Sequence, residues 1–212
     1  MAANTLDGDN HDNNKRLEKD ENGGGNSDQP RETTQSFTDS LRLQDAIRGA
    51  IKLREAGNEA FRAGNYELST NIYEDAAYKI VYLKGLQQLG AIPSDDLNFT
   101  KTITEMQFKL HSNEAASWLK IESYVPEEGE VSRFQKALNR TDRSLDALKD
   151  HPTAWKPSDE AMAKLLYRRA LAFEGIGDYE AASTEVQKAN LYAPADKLIC
   201  ALQTKIENLL KA

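Results

Sequence analysis

Arg54 and Asn58 stand four residues apart in the chain, and so do Lys164 and Arg168. On a helix, side chains at that spacing share one face. Guanidinium and ammonium groups give charge-assisted hydrogen bonds, and asparagine adds neutral donors that hold geometry. What such a set would hold is an anion with several oxygens gathered at one point. Lys164 and Arg168 repel each other on a helix face by about 0.2–0.5 kcal/mol, a small cost that a bound anion removes. The competing reading is plain surface chemistry, because Glu160 precedes Lys164 by four residues and can pair with it as a solvated ladder.

No other grouping of reactive residues is expected to do chemistry. His11, His111 and His151 are scattered, and Cys200 is the one cysteine. They give no metal-ligand spacing and no nucleophile–base pair. Gly23, Gly24 and Gly25 precede no strand, so they are not a phosphate loop. The chain is therefore read as a non-enzyme without cofactor or metal. Trp118 is expected in the core; Trp155 lies in a loop between prolines and is open to either reading.

The elements that must carry the donors are helices. Leu43, Ile47, Ala50, Ile51 and Leu53 recur at the spacing of one helix face, with Thr38 or Asp39 as the expected cap. Gly64 breaks the chain, and a second, long helix opens at Tyr66. Further helices are expected over about 100–123, 131–149, from Ser158 to Gly175, from Tyr179 to about Leu191, and from Pro194 onward. The breaks between them hold Pro93, Pro126, Gly129, Pro152, Pro157 and Gly177. No β-alternation runs beyond a few residues. From Asp7 to Asp39 there are nine acidic and four basic residues and almost no large apolar ones. Such a segment cannot bury enough apolar surface to offset the entropy of ordering, so residues 1–38 are read as a disordered acidic tail.

Two stretches repeat. LREAGNEAFRAGNYELSTNIYEDA, Leu53 to Ala76, places Gly57 where two helices approach closely, a Gly64–Asn65–Tyr66 turn, and Tyr73 and Ala76 as large and small packing positions. LLYRRALAFEGIGDYEAASTEVQKANLYAP, Leu165 to Pro194, has Ala170, Gly177–Asp178–Tyr179, Ala182 and Ala189 at the matching places. Both resemble the tetratricopeptide repeat (TPR), a helix–turn–helix unit. A degenerate middle copy shows HSNEAASWL, with Ala115 and Trp118, and FQKALNRTDRSLDAL, with Ala137 and Ser144. About ten extra residues separate them, and the first of its helices is expected to run on toward Pro126. The resemblance implies an all-α TPR superhelix of three repeats, about 50–90, 100–150 and 158–194, closed by a capping helix over 194–211, within a domain over 39–212. The last helix would cover the apolar face of the third repeat.

In this family the first helix of each repeat lines the groove. Asn113 of the middle copy holds the place of Asn58. Arg54, Asn58, Asn113, Lys164 and Arg168 together resemble the two-carboxylate clamp of chaperone-binding TPR domains, which read the Glu-Glu-Val-Asp ending of heat-shock protein 90 or heat-shock protein 70. The first clamp position is more often lysine; Arg54 keeps the charge but changes the shape. The resemblance assigns Arg54, Asn58 and Asn113 mostly to the ligand's terminal carboxylate, and Lys164 and Arg168 mostly to its side-chain or backbone groups. A co-chaperone adaptor is the function it implies, with the chaperone tail as one partner and a client or cofactor protein as a second. A TPR scaffold for a non-chaperone peptide is the alternative. An organelle import docking factor would usually need a membrane anchor.

Composition limits the other classes. A net charge of -7 over 212 residues argues against general binding to nucleic acid or anionic membranes. No apolar run approaches the roughly 18 residues that span a bilayer. The N-terminus has no apolar segment of a signal peptide, and one cysteine permits no internal disulfide. The expected address is the cytoplasm, with the nucleus as the alternative.

Overall fold

The computed structural model describes residues 31–211, with side chains from Leu41 onward. Over these residues the chain forms seven helices and no strand: α1 Arg31–Arg62, α2 Tyr66–Gln88, α3 Leu97–Lys120, α4 Arg133–Asp150, α5 Asp159–Ile176, α6 Tyr179–Tyr192 and α7 Lys197–Leu209. No described helix is long and apolar enough to cross a membrane.

Residue types mark most helix ends. Asp96, Ser132, Ser158 and Asp178 each accept a hydrogen bond from the backbone N–H three residues on, and Asp196 accepts from Leu198 and Ile199. These bonds satisfy donors that the first helical turn leaves open. Gly177 ends α5 in the left-handed region at φ 92°, with its N–H bonded back to Phe173 and Glu174.

Two boundaries differ from the sequence expectation. α1 begins at Arg31, ahead of the expected start at residue 39, and Thr38 and Asp39 lie inside it rather than capping it. No glycine or proline stands between Arg31 and Gly49 to halt the helix. The rest of the expected tail, residues 1–30, lies outside the described residues. α3 ends at Lys120 and does not run on to Ser123. The extra residues of the middle repeat form a loop instead. Tyr124 pins it, its hydroxyl donating to Glu130 Oε2 at 2.7 Å and its ring meeting Trp118 edge-on at 5.5 Å. Ser123 Oγ also donates to Glu67 Oε1 at 3.2 Å, tying the loop to α2.

Helices pair in sequence order: α1 with α2, α3 with α4, α5 with α6. Each pair then packs on the next, and α7 lies on α6. The odd-numbered helices also touch one another, α1 to α3, α3 to α5 and α5 to α7, so they form the inner row of the array. The core is divided accordingly. One apolar cluster joins α1, α2 and α3 through Tyr73, Ile80, Leu83, Phe99 and Ile103. A second joins α5, α6 and α7 through Leu166, Val186, Ile199, Leu202 and Ile206. A smaller one, with Ala115, Ala137 and Ala172, links the middle pair to α5 and has Trp118 against it. Trp155 is also structural, its ring 5.3 Å from that of Phe108.

Gly57 does what the repeat pattern asks. A Cβ there would stand 2.5 Å from Tyr73 Cε1, so any side chain would push the α2 tyrosine out of place. Gly85 is different. It sits inside α2, and a Cβ would meet nothing within 4 Å. Alanine there is favoured over glycine by about 1 kcal/mol in a helix interior. Gly85→Ala is thus expected to stabilise the fold by about that amount, read as a raised denaturation midpoint with unchanged slope.

Polar side chains lock neighbouring pairs. Ser69 Oγ donates to Gly57 O at 3.0 Å and lies 2.9 Å from Ser117 Oγ, and Ser144 Oγ donates to Phe108 O at 3.1 Å. A buried charge cluster joins three helices. Glu114 of α3 is fully buried, with Arg140 Nε of α4 at 2.5 Å and His111 Nδ1 at 3.3 Å. Arg140 also donates to Glu74 of α2 at 2.7 Å. One repeat further on, Arg169 of α5 is paired with Asp142 of α4 and stands 3.5 Å from Glu185 of α6.

Candidate functional site: a cationic cleft on the inner helices

The inner row brings α1, α3 and α5 together, and a cleft of ≈ 220 Å³ opens among them. Asn58, Phe61 and Arg62 line it from α1, Tyr73 from α2, Asn113 and Ala116 from α3, and Arg168 from α5. Three of the five residues singled out from the sequence therefore meet directly.

Asn58 is the hub. Its Oδ1 accepts from the Tyr73 hydroxyl at 2.7 Å and from Asn113 Nδ2 at 2.9 Å. Both bonds end on the carbonyl side of the amide. The Asn58 N–H₂ group is therefore oriented by its partners and has no protein acceptor of its own among the described residues. Arg168 Nη1 donates to Ser112 O at 2.9 Å and Ser112 Oγ at 2.6 Å, with Asn113 Oδ1 at 3.4 Å. These bonds hold α5 to α3 and fix the guanidinium at the floor of the cleft. All three partners are neutral. Burial pulls the Arg168 pKa down from its ordinary value, with the nearby Tyr73 hydroxyl acting in the opposite direction. The starting value is high enough that the group stays cationic near neutrality. A partly desolvated cation without a protein carboxylate against it is what an anionic ligand would complete.

Tyr73 reads the same field from the other side. Burial raises its phenolic pKa, while hydrogen bonding with Ser69 and then the charges of Arg168, Arg54 and Arg62 pull it down. Three guanidinium groups thus act on one point. Arg54 flanks the cleft rather than lining it. Its Nη2 is 3.8 Å from Glu55 Oε1, a loose pair, and its Nε is buried without an acceptor.

Lys164 stands apart. It is exposed, and its ammonium donates to Glu160 Oε1 at 2.6 Å, which holds the Glu160 carboxyl below its ordinary pKa. It lines a groove between α5 and α7 with Tyr167, Ala193 and Asp196. For Lys164 to offer its ammonium to a ligand it must first give up Glu160.

Sequence reasoning passed over Arg62, Tyr73 and Ser112 as site residues. Arg62 had a signal: it continues the line of Arg54 and Asn58 by one more turn, and it is exposed without a protein partner among the described residues. The Tyr73 hydroxyl and the Ser112 carbonyl had none, because their roles depend on how separate helices register. No cluster of three or more His, Cys, Asp or Glu side chains that could hold a metal occurs among the described residues.

No protein-family model matches the chain. Among curated proteins, the peptidyl-prolyl cis-trans isomerase PASTICCINO1 of Arabidopsis thaliana is 27% identical over 166 residues, 78% of this chain and 21% of that protein. Peptidyl-prolyl cis-trans isomerase D of Cryptococcus neoformans is 27% identical over 175 residues, 82% of this chain and 42% of that protein. The chain thus spans less than half the length of these curated relatives. Among solved structures, the C-terminal TPR-containing domain of a Plasmodium falciparum FK506-binding protein superposes with a TM-score of 0.61 at 18% identity, covering 80% of this chain and 93% of that one. The first TPR domain of human RPAP3 gives 0.52 at 15% identity, with 78% and 94% covered. The TPR domain of Arabidopsis OM64 gives 0.51 at 16%, with 77% and 98% covered. Helix pairing in sequence order, a lone closing helix and these superpositions agree: the chain has the fold of a tetratricopeptide-repeat domain.

Proposed function

We propose that the chain is a binding module for the C-terminal peptide of a heat-shock chaperone, gripping the ligand's terminal carboxylates in the cleft of Asn58, Asn113 and Arg168. The observation that carries this reading is Arg168, a cation fixed at the cleft floor by neutral partners only. Support also comes from the oriented, unspent amide of Asn58 and the unspent Nε of Arg54. A peptide ending in Glu-Glu-Val-Asp offers two carboxylates on its last residue, and pre-set donors bind them with little reorganisation. In this reading Arg54 stands beside the α-carboxylate. Lys164 closes over the ligand's outer groups on leaving Glu160, and nothing in the cleft performs catalysis. The protein then works as an adaptor in the cytoplasm or nucleus, with a client or cofactor protein on another surface.

The test is calorimetric titration with the peptide Met-Glu-Glu-Val-Asp beside its C-terminal amide. Binding of the free acid is expected near the micromolar range, about -8 kcal/mol, weakening as salt is raised. The amide should bind at least tenfold more weakly. Equal binding of both forms would overturn the clamp and favour a scaffold for internal peptides, which needs no free carboxylate.

A further inference from the structure

The outer side of α2 carries a feature that the cleft does not use. Tyr78, Val81 and Tyr82 are 74%, 65% and 59% exposed, and Leu89, just past the helix end, is 84% exposed. At spacings of three, four and seven residues they fall on one stripe of the helix, and Gly85 falls on the same stripe. Isolated exposed apolar residues are ordinary on a protein surface; a contiguous stripe of them is not.

Gly85 is the second, independent observation. Glycine inside a helix costs stability, and here nothing in the protein requires it: φ is not in the left-handed region, and a Cβ would meet open space. Gly57, by contrast, is held bare by Tyr73. The missing side chain at 85 leaves the α2 backbone uncovered in the middle of the apolar stripe, where another backbone can come close.

The third observation is charge. Beside the stripe runs a groove of ≈ 290 Å³ between α2 and α4, lined by Glu74, Ala77, Tyr78, Val81, Glu114, Arg140 and Arg143. Glu74 and Glu114 are each ion-paired with Arg140. Arg143 is exposed and is the one charged group of this groove left without a partner among the described residues.

We propose that this outer face of α2 docks an amphipathic helix of a partner protein, which crosses at Gly85, lays an apolar stripe on Tyr78, Val81 and Tyr82, and presents an acidic side chain to Arg143. A helix suits the stripe because apolar anchors at helical spacing match one another across two rods. The acidic residue follows from the groove's open charge. Residues 1–30 of the chain itself are a poor occupant, holding only Leu6 and Leu17 as large aliphatic residues besides Met1. The surface lies on the second helices of the repeats, away from the α1–α3–α5 cleft, so both sites can be filled at once.

The test uses 20-residue helical peptides with Leu and Ala on one face and Glu on the flanks, beside the same peptides with Lys for Glu. Binding to the whole chain is read by fluorescence anisotropy. The acidic peptide is expected to bind at least tenfold more tightly than the basic one. Gly85→Gln, which keeps a good helix former at 85, should weaken it at least tenfold while circular dichroism shows the fold intact. Arg143→Glu should reverse the charge preference. Failure of the acidic peptide to bind, indifference to Gly85→Gln, or an unreversed preference in Arg143→Glu would each overturn the proposal. So would a concentration-dependent dimer of the unmodified chain that Gly85→Gln abolishes, since the occupant would then be a second copy.

Discussion

Arg140→Ala is expected to cost about 3–5 kcal/mol of folding stability, a large share of what a domain of this size has. The reason is Glu114, fully buried in α3 with Arg140 Nε at 2.5 Å as its main compensating charge. Removing the guanidinium leaves a carboxylate in the interior with only His111 beside it at 3.3 Å. Two further losses add to this: the hydrogen bond from Arg140 to Glu74, and the link it makes between α4 and α2. Replacing both partners should be far milder. In Arg140→Met with Glu114→Leu no charge is stranded, and similar volumes are kept, so most of the lost stability should return. Chemical denaturation of the single and double variants decides the matter. A single-variant loss below about 1 kcal/mol would mean that water reaches Glu114 and the cluster is no more than a surface pair.

For the cleft, the largest expected effect is on ligand affinity. Arg168→Ala should weaken binding of Met-Glu-Glu-Val-Asp by about 1.5–3 kcal/mol, the worth of a charge-assisted hydrogen bond. That is roughly a tenfold to more than a hundredfold rise in Kd. Arg168 also bridges α5 to Ser112, so the variant's fold must be checked by its denaturation midpoint. Arg168→Lys separates the two roles. It keeps the charge but has no planar fork to satisfy Ser112 and a ligand together, so it should bind between the parent and the alanine variant. Unchanged affinity in a folded Arg168→Ala protein would remove this residue from the site and with it the proposed clamp.

The two effects differ in how far they could be read from sequence. Helix breaks are written in residue types that act locally: Ser158 and Asp178 cap, Gly177 terminates, and Pro93, Pro126 and Pro157 keep to the connections. Close approach is also local in its signature, and Gly57 against Tyr73 follows from the repeat pattern. Boundaries set by weak preferences were not legible. Residues 31–40 are polar apart from Phe37 and contain no helix breaker, and α1 extends into them. The end of α3 at Lys120 depends on Tyr124 and Ser123 finding partners on other elements. In the cleft, spacing and repeat register indicated Asn58, Asn113 and Arg168, and these do meet. Lys164 shares their helix face by spacing alone, yet Glu160 one turn away competes for it at 2.6 Å. The Glu114–Arg140 cluster was invisible, because a buried ion pair joining different helices leaves no periodic trace.

The pairing pattern of the helices has a consequence for how the chain reaches this structure. Among the described residues every helix touches only its neighbours or the next helix but one, and no contact joins the two ends of the array. Contacts are therefore close in sequence, and loop closure costs little entropy before they begin to reward it. Any of the three helix pairs can serve as a nucleus, with order spreading to its neighbours in either direction. Such a chain is expected to fold quickly and to open from its ends inward. The terminal pairs exchange between open and closed states most readily, and the middle pair, flanked on both sides, is the last to come apart.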